Sequence, residues 1–164
     1  MHMKPRHLFF AALALLTCHV GQAKETSVDV NTLSAAFDQA ADQDILLLES
    51  GTYSGRLTFP NGKTLTLKAA PGADVVFAGT FTGNESDSDG GIILDGLDIV
   101  TGENYFIDMA YGNVKTIAVR NCSISDIGRC FLRTNNAGKV IDAIEFTNCI
   151  VSDCGANGYC FLYP

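Results

Sequence analysis

The sequence predicts an all-β chain: a right-handed parallel β-helix, a solenoid of about four to five coils, with a capping α-helix at its N-terminal end. Three observations predict it. First, Val119-Arg-Asn-Cys-Ser-Ile-Ser-Asp-Ile-Gly128 and Phe146-Thr-Asn-Cys-Ile-Val-Ser-Asp-Cys-Gly155 are near copies, offset by 27 residues, and Leu94-Asp-Gly-Leu-Asp-Ile-Val100 is a fainter copy before them. A repeat of this length is one supersecondary unit that buries its apolar face only by stacking on its neighbours. Second, each copy alternates apolar and polar residues in short runs, the signature of strands rather than helices. Thr116–Arg120 and Ser123–Ile127 form one pair of runs, Ala143–Thr147 and Ile150–Cys154 the next. A third segment follows each pair, Cys130-Phe-Leu-Arg133 and Cys160-Phe-Leu-Tyr163. Three short strands per unit make a β-helix coil, and no unit holds the helical half that leucine-rich or ankyrin repeats need. Third, an Asn-Cys pair marks the same corner in both copies.

The elements follow in order. Basic residues Lys4 and Arg6, the apolar run Leu8–Leu16 and Gly21-Gln-Ala23 read as a secretory signal spanning residues 1–23, cleaved before Lys24. That run is too short to span a bilayer. Leu15-Leu-Thr-Cys18 loosely matches a lipobox, so Cys18 is a candidate lipid anchor. The exported part is one domain, residues 24–164. After a short polar start, residues 31–43 read as the helical cap, with Asn31 as N-cap and Leu33, Ala36, Phe37 and Ala40 on one face. Coils occupy about 44–164. Ile45–Gly55, Arg56–Phe59, Lys63–Lys68 and Ala73–Gly79 are strand segments punctuated by Gly and Pro-Asn-Gly turns. A cap over the first coil protects an otherwise open edge.

At the corners, Asn121 and Asn148 are expected to stack amide on amide at a buried bend, satisfying polar groups there. Cys122 and Cys149 then fall in register, as do Cys130 and Cys160 approximately, acting as small core hydrophobes. Export permits disulfides, and Cys154 with Cys160 is the pair most separable from the stack. Without Lys4 and Arg6 the exported part holds nine basic and eighteen acidic groups, a formal net charge of −9. That charge disfavours nucleic acid and anionic membranes as partners. All three histidines lie in the signal region and no CxxC occurs, which argues against a zinc site and against histidine chemistry.

Two groupings could carry chemistry. Lys115, Arg120, Arg129, Arg133 and Lys139 are five of the nine exported basic residues, within 25 positions. Wrapped on one coil, some would share a ridge suited to an acidic polysaccharide, because arginine pairs bidentately with carboxylate or sulfate. The competing expectation is solvated side chains on different faces, or partners of Asp98, Asp126, Asp153 and Glu145. Arg129 and Arg133 are the foremost candidates, and Arg56, in the first coil, is expected to lie apart from them. The second grouping is Glu85, Asp87 and Asp89 before Gly90, which imitates the first half of an EF-hand loop and makes calcium a candidate ligand. The closing glutamate is missing, since Gly96 stands there, and an acidic solvated turn is the commoner outcome.

The run from Leu33 through Gly79, above all Ala35-Ala…Asp44-Ile-Leu-Leu-Leu…Ser50-Gly-Thr-Tyr53…Lys63-Thr-Leu-Thr-Leu67, resembles the cap and first coil of pectin-lyase-like proteins. With Arg120-Asn-Cys122 and Asn157-Gly-Tyr159, the exported part resembles an uncharacterised family of secreted bacterial β-helix proteins of polysaccharide-utilisation systems. That family is distantly similar to the alginate lyase and chondroitinase B family, whose catalysis uses a lysine, an arginine and calcium. No motif here matches those catalytic residues, so none is carried over. The resemblance implies a protein that is secreted, periplasmic or on the cell surface and that binds or depolymerises an acidic polysaccharide. If catalytic, it would be a polysaccharide lyase acting by β-elimination. The alternative is a non-catalytic glycan-binding or adhesive solenoid. The run ends mid-coil at Cys160-Phe-Leu-Tyr-Pro164 without a polar cap, so the chain reads as an N-terminal portion, with an aggregation-prone open edge.

Overall fold

Each turn of the chain lays one strand on each of three sheets, and about four such turns stack into a parallel β-solenoid. The computed structural model describes residues 23–84, 90–109, 112–134 and 138–155, and the backbone of 162–163. After β1 (Glu25–Val28) and α1 (Leu33–Gln39), the first turn comprises β2 (Ile45–Leu48), β3 (Gly51–Tyr53) and β4 (Arg56–Thr58). The second comprises β5 (Thr64–Ala69), β6 (Val75–Phe77) and β7 (Thr80–Thr82). The third comprises β8 (Gly90–Asp95), β9 (Asp98–Val100) and β10 (Tyr105–Asp108), and the fourth β11 (Val114–Arg120), β12 (Ser123–Ser125) and β13 (Cys130–Arg133). Beyond it lie β14 (Ile141–Thr147), β15 (Ile150–Val151) and β16 (Leu162–Tyr163). Sheet A runs β1-β2-β5-β8-β11-β14, sheet B β3-β6-β9-β12-β15 and sheet C β4-β7-β10-β13-β16.

Alternation decides which side chains enter. In β5, Leu65 and Leu67 are fully buried, and the register places Ile92 and Ile117 over the first and Leu94 and Val119 over the second. Such columns exist because a parallel ladder holds equivalent residues about 4.8 Å apart. Phenylalanines fill the centre. Phe81 lies 5.6 Å from both Phe77 and Phe106, and Phe106 lies 5.0 Å from Phe131. The helix closes the first turn by setting Phe37 against Phe81, at 6.2 Å between centroids.

Two expectations near the N-terminus are corrected. The polar start contains β1, which pairs in parallel with β2 although only Val28 of the four residues is buried. The helix covers Leu33–Gln39 rather than 31–43, and Asn31 does not cap it. Thr32 stands at the N-cap without a side-chain cap, and Asp29 instead fixes the turn that leads into the helix: its carboxylate accepts the Asn31 and Thr32 amides, each at 2.9 Å, and the Thr32 hydroxyl at 2.8 Å. These bonds hold its pKa below the usual carboxylate value. The helix stops early because Ala40 turns to extended backbone and Asp44 accepts the Ala41 amide at 2.9 Å, drawing the chain into β2.

The Asn corner forms as expected in register and differs in burial. Asn148 Nδ2 donates to Asn121 Oδ1 at 2.9 Å, and Asn121 Nδ2 donates to Asp95 Oδ1 at 2.7 Å. The ladder stands on the exposed outside of the corner rather than at a buried bend. Its residues are asparagines because the backbone there is left-handed, with φ 54° at Asn121 and 53° at Asn148, and Gly96 occupies the same corner one turn earlier. The side chain turned inward belongs to the next residue. Cys122 stacks between Leu97 and Cys149, and burial pushes its thiol up to about 11, so it stays protonated at neutral pH as a core hydrophobe. Replacing Asn148 with leucine is expected to cost about 1–2 kcal/mol, because leucine resists the left-handed region. Asn148→Gly should cost less than half of that. Urea denaturation of both variants checks it, and equal losses would assign the residue's role to its amide bond instead.

Candidate functional site

The corner between sheets B and C changes width along the solenoid. Tyr53 and Leu57 flank it in the first turn, four residues apart, as do Phe77 and Phe81 in the second. The equivalent inward residues of the third turn, Ile99 and Ile107, are eight apart, and so are Ile124 and Leu132 of the fourth. The first two corners are tight. A Cβ added to Gly79 would stand 2.7 Å from the Gly55 carbonyl oxygen, so the backbones pack with only small residues between them. The third corner carries Thr101–Asn104 as extra chain, pinned by Gly128 N donating to Glu103 O at 2.8 Å. It overhangs the narrow part of the solenoid as a step.

Under this step runs a trough. One section is lined by Arg56, Thr80, Glu103, Asn104, Tyr105 and Asp108, and the adjoining section again by Arg56, Thr80 and Glu103, with Gly55 and Ala78 as floor. Its far end is built from β10 and β13. The Arg133 Nε donates to Asp108 Oδ1 at 2.8 Å, and its second nitrogen reaches Asp108 Oδ2. That carboxylate, before any other group, raises the Arg133 pKa. The Arg133 guanidinium lies 4.3 Å from the Tyr105 ring centroid and that of Arg129 5.6 Å, so both cations gather at one aromatic ring. The trough therefore offers guanidinium, carboxylate, hydroxyl and aromatic surfaces side by side.

Of the five basic residues singled out in the sequence, Arg129 and Arg133 meet, at Tyr105. Lys115 and Arg120 lie on the outer face of β11 in sheet A, away from that ring. Arg120 pairs with Glu145 at 3.2 Å, an exposed bridge worth little. Lys115 lies within electrostatic reach of Asp42. Lys139 sits half-buried in the corner leading into β14. Arg56, expected apart from the site, lines the trough instead, because stacking brings the first turn within two strand spacings of the third. Tyr105, Glu103 and Asp108 were not singled out either. The signal for Tyr105 was its in-register position over Cys130, 25 residues earlier.

Glu85, Asp87 and Asp89 lie outside the described residues, as do Cys18, Asn157 and Cys160. Among the described residues no cluster of three or more His, Cys, Asp or Glu is gathered to hold a metal ion, and no helix is long and apolar enough to cross a membrane. No protein-family model and no curated protein matches the chain. The described residues by themselves define the class: a parallel β-solenoid with one short helix ahead of the first turn and a stepped trough along one corner.

Proposed function

We propose that this is an exported solenoid that binds an acidic polysaccharide laid along the trough, with lyase-type β-elimination as its chemistry if it turns the polymer over. The observation that carries the reading is the trough itself. It runs across successive turns, as an extended polymer requires, and it joins exposed Arg56 to an aromatic ring covered by two further guanidiniums. The reading includes export, with cleavage before Lys24. Ala23 and Lys24 are exposed, and the Lys24 backbone nitrogen donates to Asp44 Oδ1 at 2.9 Å. Cleavage there would set a new ammonium group against that carboxylate, a stronger bond than the amide makes. Binding without turnover is the second reading, favoured by the commitment of Arg133 to Asp108, which leaves it less available to a substrate.

Gels carrying hyaluronan, alginate or chondroitin sulfate, against neutral dextran, test the reading at low salt. The parent should be retarded by acidic gels only, with an effect that fades as salt shortens the screening length. Arg129→Ala with Arg133→Ala should weaken retardation several-fold, while Lys115→Ala with Arg120→Ala, on sheet A, should leave it unchanged. Unsaturated products absorbing in the ultraviolet would establish a lyase, and their absence with retardation intact would establish a binder. No retardation by any acidic gel, or equal retardation by dextran, would remove the proposal.

A further inference from the structure

We infer that the trough selects an acidic glycan of low charge density, in which carboxylates are separated by neutral, hydroxyl-rich units, and that Arg56 is its anion anchor. The inference rests on the polysaccharide reading and narrows it. Arg56 is exposed and lines both sections of the trough. Among the described residues it makes no ion pair, whereas Arg133 is held by Asp108. Glu103 likewise lines both sections without an ion-pair partner among the described residues. Two opposite charges thus share one open trough without bridging each other. They belong to the first and third turns, two strand spacings or about 10 Å apart.

A ligand that spans them must offer different chemistry at its two ends. Arg56 presents a planar fork of donors suited to a carboxylate. Glu103 is acceptor-only and takes hydroxyl donors. An anion docked at Arg56 finds its charge matched. A second anion one or two sugars along would face the unpaired Glu103 within a screening length of about 8–10 Å, whereas Asp108 is matched by Arg133. The exported part as a whole, at −9, adds to that repulsion. Densely sulfated chains are therefore disfavoured by the group that accepts hydroxyls. The small residues Gly55 and Ala78 keep the floor low so that a sugar ring reaches both charges.

Affinity electrophoresis of the full chain tests this with four probes: hyaluronan, with a carboxylate on alternate sugars; alginate, with one on every sugar; heparin, densely sulfated; and neutral dextran. Hyaluronan should retard the parent most and heparin least among the acidic probes. Arg56→Ala should weaken hyaluronan retardation tenfold or more, with Arg56→Lys keeping part of it. Glu103→Gln should raise heparin retardation relative to hyaluronan. Both positions are exposed, and a melting curve matching the parent's shows that each variant is folded. Stronger retardation by heparin than by hyaluronan would overturn the selectivity, and unchanged hyaluronan retardation of Arg56→Ala would overturn the anchor. Either result leaves polysaccharide binding standing. No retardation by any acidic probe would instead overturn that reading and this one together.

Discussion

Phe106→Ala is expected to lower the unfolding free energy by about 3–5 kcal/mol, the usual range for removing a buried phenylalanine. Phe106 is fully buried and stands in the middle of the aromatic column, 6.0 Å from Phe77, 5.6 Å from Phe81 and 5.0 Å from Phe131. Its neighbours belong to the turns on either side, Phe77 and Phe81 to the second and Phe131 to the fourth, and each is held by its own ladder, so they cannot collapse into the space. The loss is the transfer term plus a cavity that stays open. Two of its contacts are edge-to-face, which adds about 0.5–1.5 kcal/mol per pair beyond the area buried. Phe146, 39 % exposed over Phe131, provides the comparison, and its truncation should cost less than half as much. Urea titration measures both. A loss at Phe106 no greater than at Phe146 would show that the column does not hold the turns together.

Gly90→Ala should be nearly as costly for the opposite reason, too much matter rather than too little. A Cβ at this position would lie 1.7 Å from the Pro60 carbonyl oxygen and 2.8 Å from that of Lys63. Both obstacles are backbone, and the Gly91 amide is already bonded to the Lys63 carbonyl at 2.9 Å, so relief requires parting β8 from β5. Overpacking of this kind costs about 1–3 kcal/mol and more when backbone must move. We expect a loss of about 3 kcal/mol, or a fall in melting temperature on the order of 6–12 °C at this chain length. A melting temperature within about 2 °C of the parent's would mean that the corner before β8 yields, and that Gly90 serves another purpose. The sequence offered one such purpose, the turn of an acidic calcium loop; close packing accounts for the glycine without an ion.

The stacked turns were legible because their cause is local and repeated. Ile117 and Val119, set between Thr116 and Arg120 with only small Ala118 between them, and Ile144 and Phe146, either side of Glu145, repeat every second residue, and that period alone sends them to one face. The Asn-Cys pair was legible as a corner because a left-handed residue followed by an inward one recurs at 121 and 148. Its burial was misread, since a one-residue shift moves the amide outside and the thiol inside. β1 was missed because Glu25-Thr-Ser-Val28 carries no pattern of its own and becomes a strand only through the open edge of β2. The helix was read too long because Asp44, a residue with no helical signal, recaptures the chain at Ala41.

By itself, then, the sequence determined the repeating strand, the inward columns and the class of fold, since period and composition act between residues a few positions apart. Tertiary structure decided the trough. It exists because two tight corners lie beneath a corner four residues longer, a difference visible only once Tyr53, Phe77, Ile99 and Ile124 are known to share one register. Likewise Arg56 and Glu103 stand 47 positions apart in the chain, and neither residue carries any mark of the other. Two strand spacings bring them into one trough, and that distance is set by backbone hydrogen bonding between turns, to which side-chain pattern contributes nothing.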